Sequence, residues 1–223
     1  MDIASIHPYC YEKPGMTFVF PEKDGIFIQK IKKTRELMEK YGGADKKIWL
    51  TELGWPIVGA AGSKGVTERE QGDYLVRGYV LALSTGVVEK IFWYCFTDEQ
   101  EANWGLIDKD YSPRLSYKAY STMAKTLEGA QFSKKINIGE DAYCFEFRMG
   151  EEPVYVLWSV KDSRILSLNV NADKVKLIGI AGDTKEAESS NGVLTIPLSE
   201  SPVYLLNATD VLNVSDSGSA RKK

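Results

Sequence analysis

The hydrophobic pattern changes character once along the chain. Up to about Gly129, short apolar runs alternate with stretches of helical period. Asp2–Tyr9 is an apolar run ending in polar and aromatic residues, followed by a loop holding Pro14, Gly15 and Pro21. A helix is expected from near Asp24, because Phe27, Ile31, Met38 and Tyr41 recur on one face of a 3.6-residue period. Gly42-Gly43 supplies its stop. Lys47–Glu52 then reads as a strand running into Leu53-Gly-Trp-Pro56. Thr67-Glu-Arg-Glu70 has the form of a capping box, and Tyr74, Gly78, Leu81, Ala82 and Thr85 make an apolar stripe behind it. The third run, Lys90–Phe96, lacks alternation and reads as a strand buried on both faces. Its helix is expected from Ser112-Pro113 to Gly129.

Three successive βα units imply parallel strands joined by helical crossovers. In such sheets ligands gather at the carboxyl edges of the strands. Those edges hold His7 and Tyr9, Glu52 and Trp55, and Trp93, Tyr94 and Asp98. Polar and aromatic residues therefore coincide at all three edges.

Beyond Phe132 short strands and turns take over. Tyr143, Phe145 and Phe147 alternate with Cys144, Glu146 and Arg148, the pattern of a half-buried strand. Runs at Val154–Val160, Ile165–Val170, Val175–Ile180, Val193–Leu198 and Pro202–Leu206 follow, with Asn191-Gly192 as a hairpin signal. Such regularly spaced strands predict a small antiparallel β-sandwich. The expected organisation is an α/β segment over 1–129, the sandwich over 130–209, and a frayed polar tail over 210–223.

Composition narrows the function. With 28 Lys and Arg against 31 Asp and Glu, the net charge of −3 argues against a protein that tracks a nucleic-acid backbone. No apolar stretch is long enough for a membrane helix, and no signal peptide opens the sequence. Cys10, Cys95 and Cys144 are odd in number and far apart, which suits neither a disulfide framework nor a zinc cluster. No cofactor or metal is called for. One histidine, His7, leaves little for a Ser-His-Asp enzyme, whereas five Trp and twelve Tyr are a surplus that needs a role.

Glu52 is the sharpest candidate. Position alone leaves it open as a solvated loop glutamate, but flat Trp and Tyr faces beside a carboxylate suit a sugar ring. Retaining glycosidases need a carboxylate nucleophile and a carboxylic acid about 5–5.5 Å apart. Tyr9 is placed to donate a hydrogen bond to Glu52 and favour its ionised form. Trp93 reads either as a core residue or as a sugar platform, and His7 and Tyr9 each have an ordinary structural reading too. Asp98, Glu99 and Glu101 form an acidic loop that reads as solvated surface or as a ligand for sugar hydroxyls or a cation.

The series Ser5-Ile-His-Pro-Tyr9, Trp49-Leu-Thr-Glu-Leu-Gly-Trp-Pro56, Ile91-Phe-Trp-Tyr94 and Asn103-Trp-Gly-Leu-Ile-Asp108 resembles the carboxyl half of clan A glycoside hydrolases. These are retaining enzymes on the (β/α)8 TIM barrel. The similarity spans residues 2–127 and matches barrel strands six to eight in order, with Thr-Glu-Leu-Gly-Trp its most specific part. It implies a partial barrel followed by a β-sandwich, Glu52 as nucleophile and Trp93 as the aromatic floor of the cleavage subsite. His7, Tyr9, Trp55 and Tyr94 would line the same pocket, the substrate would be a β-linked oligo- or polysaccharide, and the full-length enzyme would lie outside the cytoplasm.

One departure stands beside the match. The family's acid/base glutamate follows an asparagine at the end of strand four, and this sequence has no Asn-Glu dipeptide. The expectation is therefore the back end of a longer enzyme, inactive alone, whose partner is the N-terminal half of the barrel. The alternatives are a non-catalytic carbohydrate-binding or scaffolding protein that lost the acid, and a structural chain that completes another chain's half-barrel.

Overall fold

The structure, a computed structural model of the chain, describes residues 2–12, 17–58, 64–98, 103–161, 163–209 and 211–215. The chain divides into two compact units, residues 1–120 and 121–223. The division falls inside a helix that the sequence pattern assigned wholly to the first segment.

In the first unit the elements run β1 (Ile3–Ile6), β2 (Tyr11–Glu12), β3 (Thr17–Phe18), α1 (Ile26–Lys40), β4 (Lys47–Leu53), α2 (Glu68–Leu83), β5 (Val88–Trp93) and the start of α3 (Leu115–Thr126). Strands β1, β4 and β5 form one parallel sheet with β4 at its centre. Its register sets Ile6 beside Leu50 and Leu53 beside Trp93, so the carboxyl ends of all three strands meet at one edge. Ile48, Leu50 and Leu53 are fully buried, while Trp49, Thr51 and Glu52 are part-exposed.

The helices follow the expected signals with two differences. Thr67 and Glu70 satisfy each other's backbone donors in a complete capping box at α2. Helix α2, however, has no polar face from Gln71 to Ala82, since every residue there is buried. Its polar members are partnered instead: Gln71 donates to the Trp55 carbonyl at 2.9 Å, and Arg77 donates to Glu22 at 2.9 Å and 2.5 Å. In α1 the expected face holds for Phe27 and Ile31, but Tyr41 is 75% exposed at the helix end.

Strand β5 corrects another expectation. It was expected to be buried on both faces, yet Glu89, Lys90 and Phe92 are exposed. Strand β4 is its one sheet neighbour among the described residues, so an apolar run that reads as central lies at an edge.

The second unit continues with β6 (Gln131–Ile136), β7 (Ala142–Met149), β8 (Glu152–Ser159), β9 (Arg164–Val170), β10 (Lys174–Gly179), β11 (Thr184–Glu188), β12 (Val193–Leu198), β13 (Val203–Leu206) and β14 (Val211–Ser215). A six-stranded antiparallel sheet has the order β11-β10-β13-β8-β7-β6, and a three-stranded one β12-β9-β14. Cys144, Tyr155 and Leu157 of the first share one core with Leu166, Leu168, Leu194 and Ile196 of the second.

Three details depart from the pattern. Strand β7 is buried on both faces, with Cys144 in the core shared by the two sheets on one side and Phe145 and Phe147 packed against Trp158 and Phe132 on the other. Asn191 and Gly192 do take the positive φ of a tight turn, but β11 pairs with β10 and β12 with β9, so the turn passes the chain between sheets. Residues 211–215, expected in a frayed tail, form β14 against β9, with Val211 in the core.

Candidate active site

Glu52 is the second-last residue of strand β4, its side chain 36% exposed, between Thr51 and the fully buried Leu53. Just beyond it comes Gly54, and this glycine is required by a close approach. A Cβ there would lie 2.3 Å from the Tyr94 carbonyl oxygen, while the Tyr94 N–H donates to the Leu53 carbonyl at 2.9 Å. Strand ends β4 and β5 are thereby pinned together.

Two residues beyond β1 converge on one carboxylate oxygen. The Tyr9 phenol donates to Glu52 Oε2 at 2.9 Å, and His7 Nδ1 lies 3.4 Å from the same atom. Burial, and then the Glu52 carboxylate it bonds, push the Tyr9 phenol well above its ordinary value, so it remains a donor. The other ring nitrogen, His7 Nε2, is 2.9 Å from Thr51 Oγ1, which is 2.5 Å from Ser5 Oγ. The proposed Tyr9–Glu52 bond is thus present, and Thr51 and Ser5 enter as partners that sequence reasoning did not single out.

The Tyr9 ring that bonds the carboxylate belongs to an aromatic cluster. The Trp93 indole donates to the Trp104 carbonyl at 3.1 Å. The Trp104 ring meets Tyr9, Phe18 and Tyr94 edge-on, with centroids 5.5, 5.3 and 5.6 Å away. Trp104 was visible only as part of the Asn-Trp-Gly-Leu-Ile-Asp segment. Its location on a loop hid its position at the centre of the cluster.

Trp55 does not belong to the pocket lining. It is wholly buried, its indole N–H is bonded to the Val19 carbonyl at 2.8 Å, and its ring packs 6.1 Å from that of Trp93. Gly78 of α2 makes room for it, since a Cβ there would come within 3.0 Å of the indole. The sequence placed this side chain at the open edge, whereas the Val19 carbonyl and the Trp93 ring hold it in the interior.

The acidic loop is also corrected at Asp98. Its side chain is 1% exposed, and both oxygens are taken by Arg114 at 2.8 and 2.6 Å, with the Gly105 N–H at 2.7 Å. Burial opposes its charge, but these donors hold its carboxyl below the usual range. Asp98 is therefore a clamp for the loop that carries Trp104. Glu99 and Glu101 lie outside the described residues. Among the described residues no three His, Cys, Asp or Glu side chains gather as a metal site.

No family model and no curated protein sequence matches the chain. In structure it is similar to a family 39 glycoside hydrolase from the gut symbiont Bacteroides cellulosilyticus WH2, with a TM-score of 0.71 and 26% identity, covering 92% of this chain and 44% of that one. It is similar in fold to a GH30 endoxylanase from Clostridium papyrosolvens C71, with a TM-score of 0.55 and 13% identity, covering 78% and 44%. The chain thus resembles glycoside hydrolases of families 39 and 30, and spans less than half the length of either.

Proposed function

We propose that the chain is the carboxyl portion of a retaining β-glycosidase of clan A, with β1, β4 and β5 as strands six to eight of its barrel and Glu52 as its nucleophile. The observation that carries this is the carboxylate at the end of β4, held by Tyr9 and flanked by His7 at one oxygen. With Oε2 so held, Oε1 is the attacking atom.

In the first step Oε1 forms a bond to the anomeric carbon as the glycosidic C–O bond breaks. The leaving oxygen takes a proton from a carboxylic acid. In the second step water, deprotonated by the same residue, attacks the anomeric carbon and releases Glu52. Trp93 offers its face to the sugar ring, with Trp55 behind it as support, and His7, Tyr9 and Tyr94 line the pocket. The substrate class is a β-linked oligo- or polysaccharide. The acid is assigned to the remaining barrel half, because this sequence contains no Asn-Glu dipeptide and the chain covers only 44% of each of the two similar enzymes. Without it the roughly 10²–10⁴-fold contribution of general acid catalysis is lost, so the 223-residue chain alone should be inactive.

The test is hydrolysis of aryl β-glycosides and of β-glucan, β-mannan and β-xylan by the chain alone and together with an N-terminal barrel half. Activity only in the mixture, lost by several orders of magnitude in Glu52→Gln, with an activated fluoro-sugar labelling Glu52, supports the reading. A Glu52→Gln variant keeping more than about a tenth of the activity, roughly 1.4 kcal/mol in barrier, overturns the nucleophile role. Turnover by the chain alone that vanishes in Glu52→Gln shows an internal acid and ends the half-site reading. The missing Asn-Glu pair also favours a second reading, a carbohydrate-binding chain without catalysis. Sugar binding by an assembly that never turns over supports that one.

A further inference from the structure

We infer that Thr51, with Ser5 behind it, is a positioning residue that fixes His7 as the tautomer carrying its proton on Nδ1, facing Glu52. The argument starts from which atoms can donate. A carboxylate only accepts, and a neutral imidazole has one N–H and one bare nitrogen. His7 Nδ1 lies 3.4 Å from Glu52 Oε2, so the favourable ring presents N–H on that side. Nε2 then carries a lone pair and needs a donor. The donor is the Thr51 hydroxyl at 2.9 Å.

That assignment fixes the rest of the chain of bonds. Thr51 has one proton, and giving it to Nε2 leaves its oxygen to accept from Ser5 at 2.5 Å. The donor direction runs from Ser5 to Thr51 to His7 Nε2, which leaves the Nδ1–H turned to Glu52 Oε2 at 3.4 Å. At Oε2 it meets the Tyr9 phenol, donating from the other side at 2.9 Å. The backbone builds this in: parallel pairing places Ser5 beside Trp49 and Ile6 beside Leu50, so one step further His7 comes level with Thr51. In the opposite tautomer a bare Nδ1 would face the carboxylate, lone pair against lone pair. The second nitrogen of a histidine is commonly what sets the role of the first.

The structural part of this inference stands on the Ser5–Thr51 and Thr51–His7 hydrogen bonds and on the 3.4 Å approach of His7 Nδ1 to the carboxylate. Its catalytic part rests on the glycosidase reading: a fixed Nδ1–H helps hold Oε2, and so keeps Oε1 aimed at the sugar.

The sequence contains a single histidine, so the full chain labelled with ¹⁵N-histidine yields one imidazole spectrum. A long-range ¹H–¹⁵N correlation at about pH 8, where an ordinary imidazole is neutral, reads the tautomer directly. The expected result is a protonated Nδ1 and an accepting Nε2. Thr51→Val removes the donor at nearly constant shape, and should shift Nε2 towards an unbonded or protonated nitrogen. Thr51→Ser should restore the wild-type spectrum, and Ser5→Ala should give a smaller shift in the same direction. A wild-type ring protonated on Nε2 overturns the inference, as does a Thr51→Val spectrum identical to wild type. If Thr51→Val does not fold, Thr51→Ser and Ser5→Ala decide: a spectrum preserved by the first and shifted by the second supports the assignment, and any other pairing overturns it. In a hydrolytically active assembly Thr51→Val should lower kcat about 5- to 10-fold with KM little changed, and Thr51→Ser should recover it. The spectrum needs no substrate, so a failure of the glycosidase reading shows in Glu52→Gln kinetics and leaves the tautomer result standing.

Discussion

The phenol of Tyr9 donates a 2.9 Å hydrogen bond to Oε2 of Glu52, joining the ends of two neighbouring parallel strands. The two residues are 43 positions apart, and the bond fixes one oxygen of a part-exposed carboxylate. A hydrogen bond to a charged group contributes about 1.5–3 kcal/mol. Tyr9→Phe should therefore lower kcat of the assembled enzyme roughly 10- to 150-fold, with the fold retained. Steady-state kinetics beside a circular-dichroism melt checks this; an unchanged kcat means the bond does not serve the reaction.

Trp55 should behave as a core residue. It is wholly buried against Trp93, Tyr74 and Gly78. Trp55→Ala should cost about 3–5 kcal/mol in urea unfolding. Gly78→Ala should destabilise as well, because its new methyl would press on the same indole. A stable Trp55→Ala protein with weakened sugar binding would return this residue to the pocket.

The pair Arg77–Glu22 is shut away from water, with side chains 1% and 2% exposed, and the guanidinium also lies over the rings of Phe20 and Tyr74. Removing one partner strands the other, so Glu22→Leu should destabilise by about 3–5 kcal/mol. Adding Arg77→Met should recover much of that loss, since the pair offsets its own desolvation and little more. Equilibrium unfolding of the two single variants and the double variant gives the coupling.

What the sequence made legible follows the strength of local patterns. The central strands β4 and β8 carry Ile-Trp-Leu and Val-Tyr-Val-Leu-Trp, and the capping box at Thr67 is a local signal, so these could be read directly. Strands β6, β11 and β14 could not, and all three lie at sheet edges. Edge strands bury one side poorly and tolerate charge, as in Thr-Lys-Glu-Ala-Glu of β11. In β6 a register shift between Phe132 and Lys134 breaks the alternation as well. At the site, Glu52, His7 and Tyr9 could be found because strand ends are predictable from the βα rhythm. Trp55 was misplaced and Trp104 was given no role because their positions depend on tertiary contacts, the Val19 carbonyl and Gly78 for the first and the Asp98–Arg114 clamp for the second.

Alkaline pH should find the buried phenols. Burial pushes Tyr204 far above its ordinary value, and burial with a partner does the same to Tyr9 and Tyr79. Each binds its proton more tightly when folded, so its contribution is whole below about pH 10 and is lost as pH rises beyond it. Ultraviolet titration should show these three phenols ionising only with unfolding. Tyr204 has a buried hydroxyl with no hydrogen-bond partner among the described residues. Tyr204→Phe should thus be neutral or stabilising, and should reduce the alkaline loss.

Asp98 should govern the acid side of the same curve, and through it the aromatic cluster. Folding lowers its carboxyl below the ordinary value near 4, so its contribution is present above that pH and is lost as pH falls through the native value. Both oxygens hold Arg114, and one also holds the Gly105 N–H, next to Trp104. Asp98→Asn keeps the shape but leaves the guanidinium, 13% exposed, without its counter-charge. The expected cost is about 2–4 kcal/mol at pH 7, and the variant should lose less stability than wild type between pH 5 and 3. Because Trp104 packs edge-on against Tyr9 and Tyr94, the slackened loop should also redshift tryptophan emission at neutral pH. Tyr9→Phe leaves the clamp in place and should not shift the emission. Unfolding curves across pH followed by fluorescence measure both effects together. If Asp98→Asn keeps the full acid dependence of wild type, the loss arises elsewhere and Asp98 is not the group that links pH to this loop.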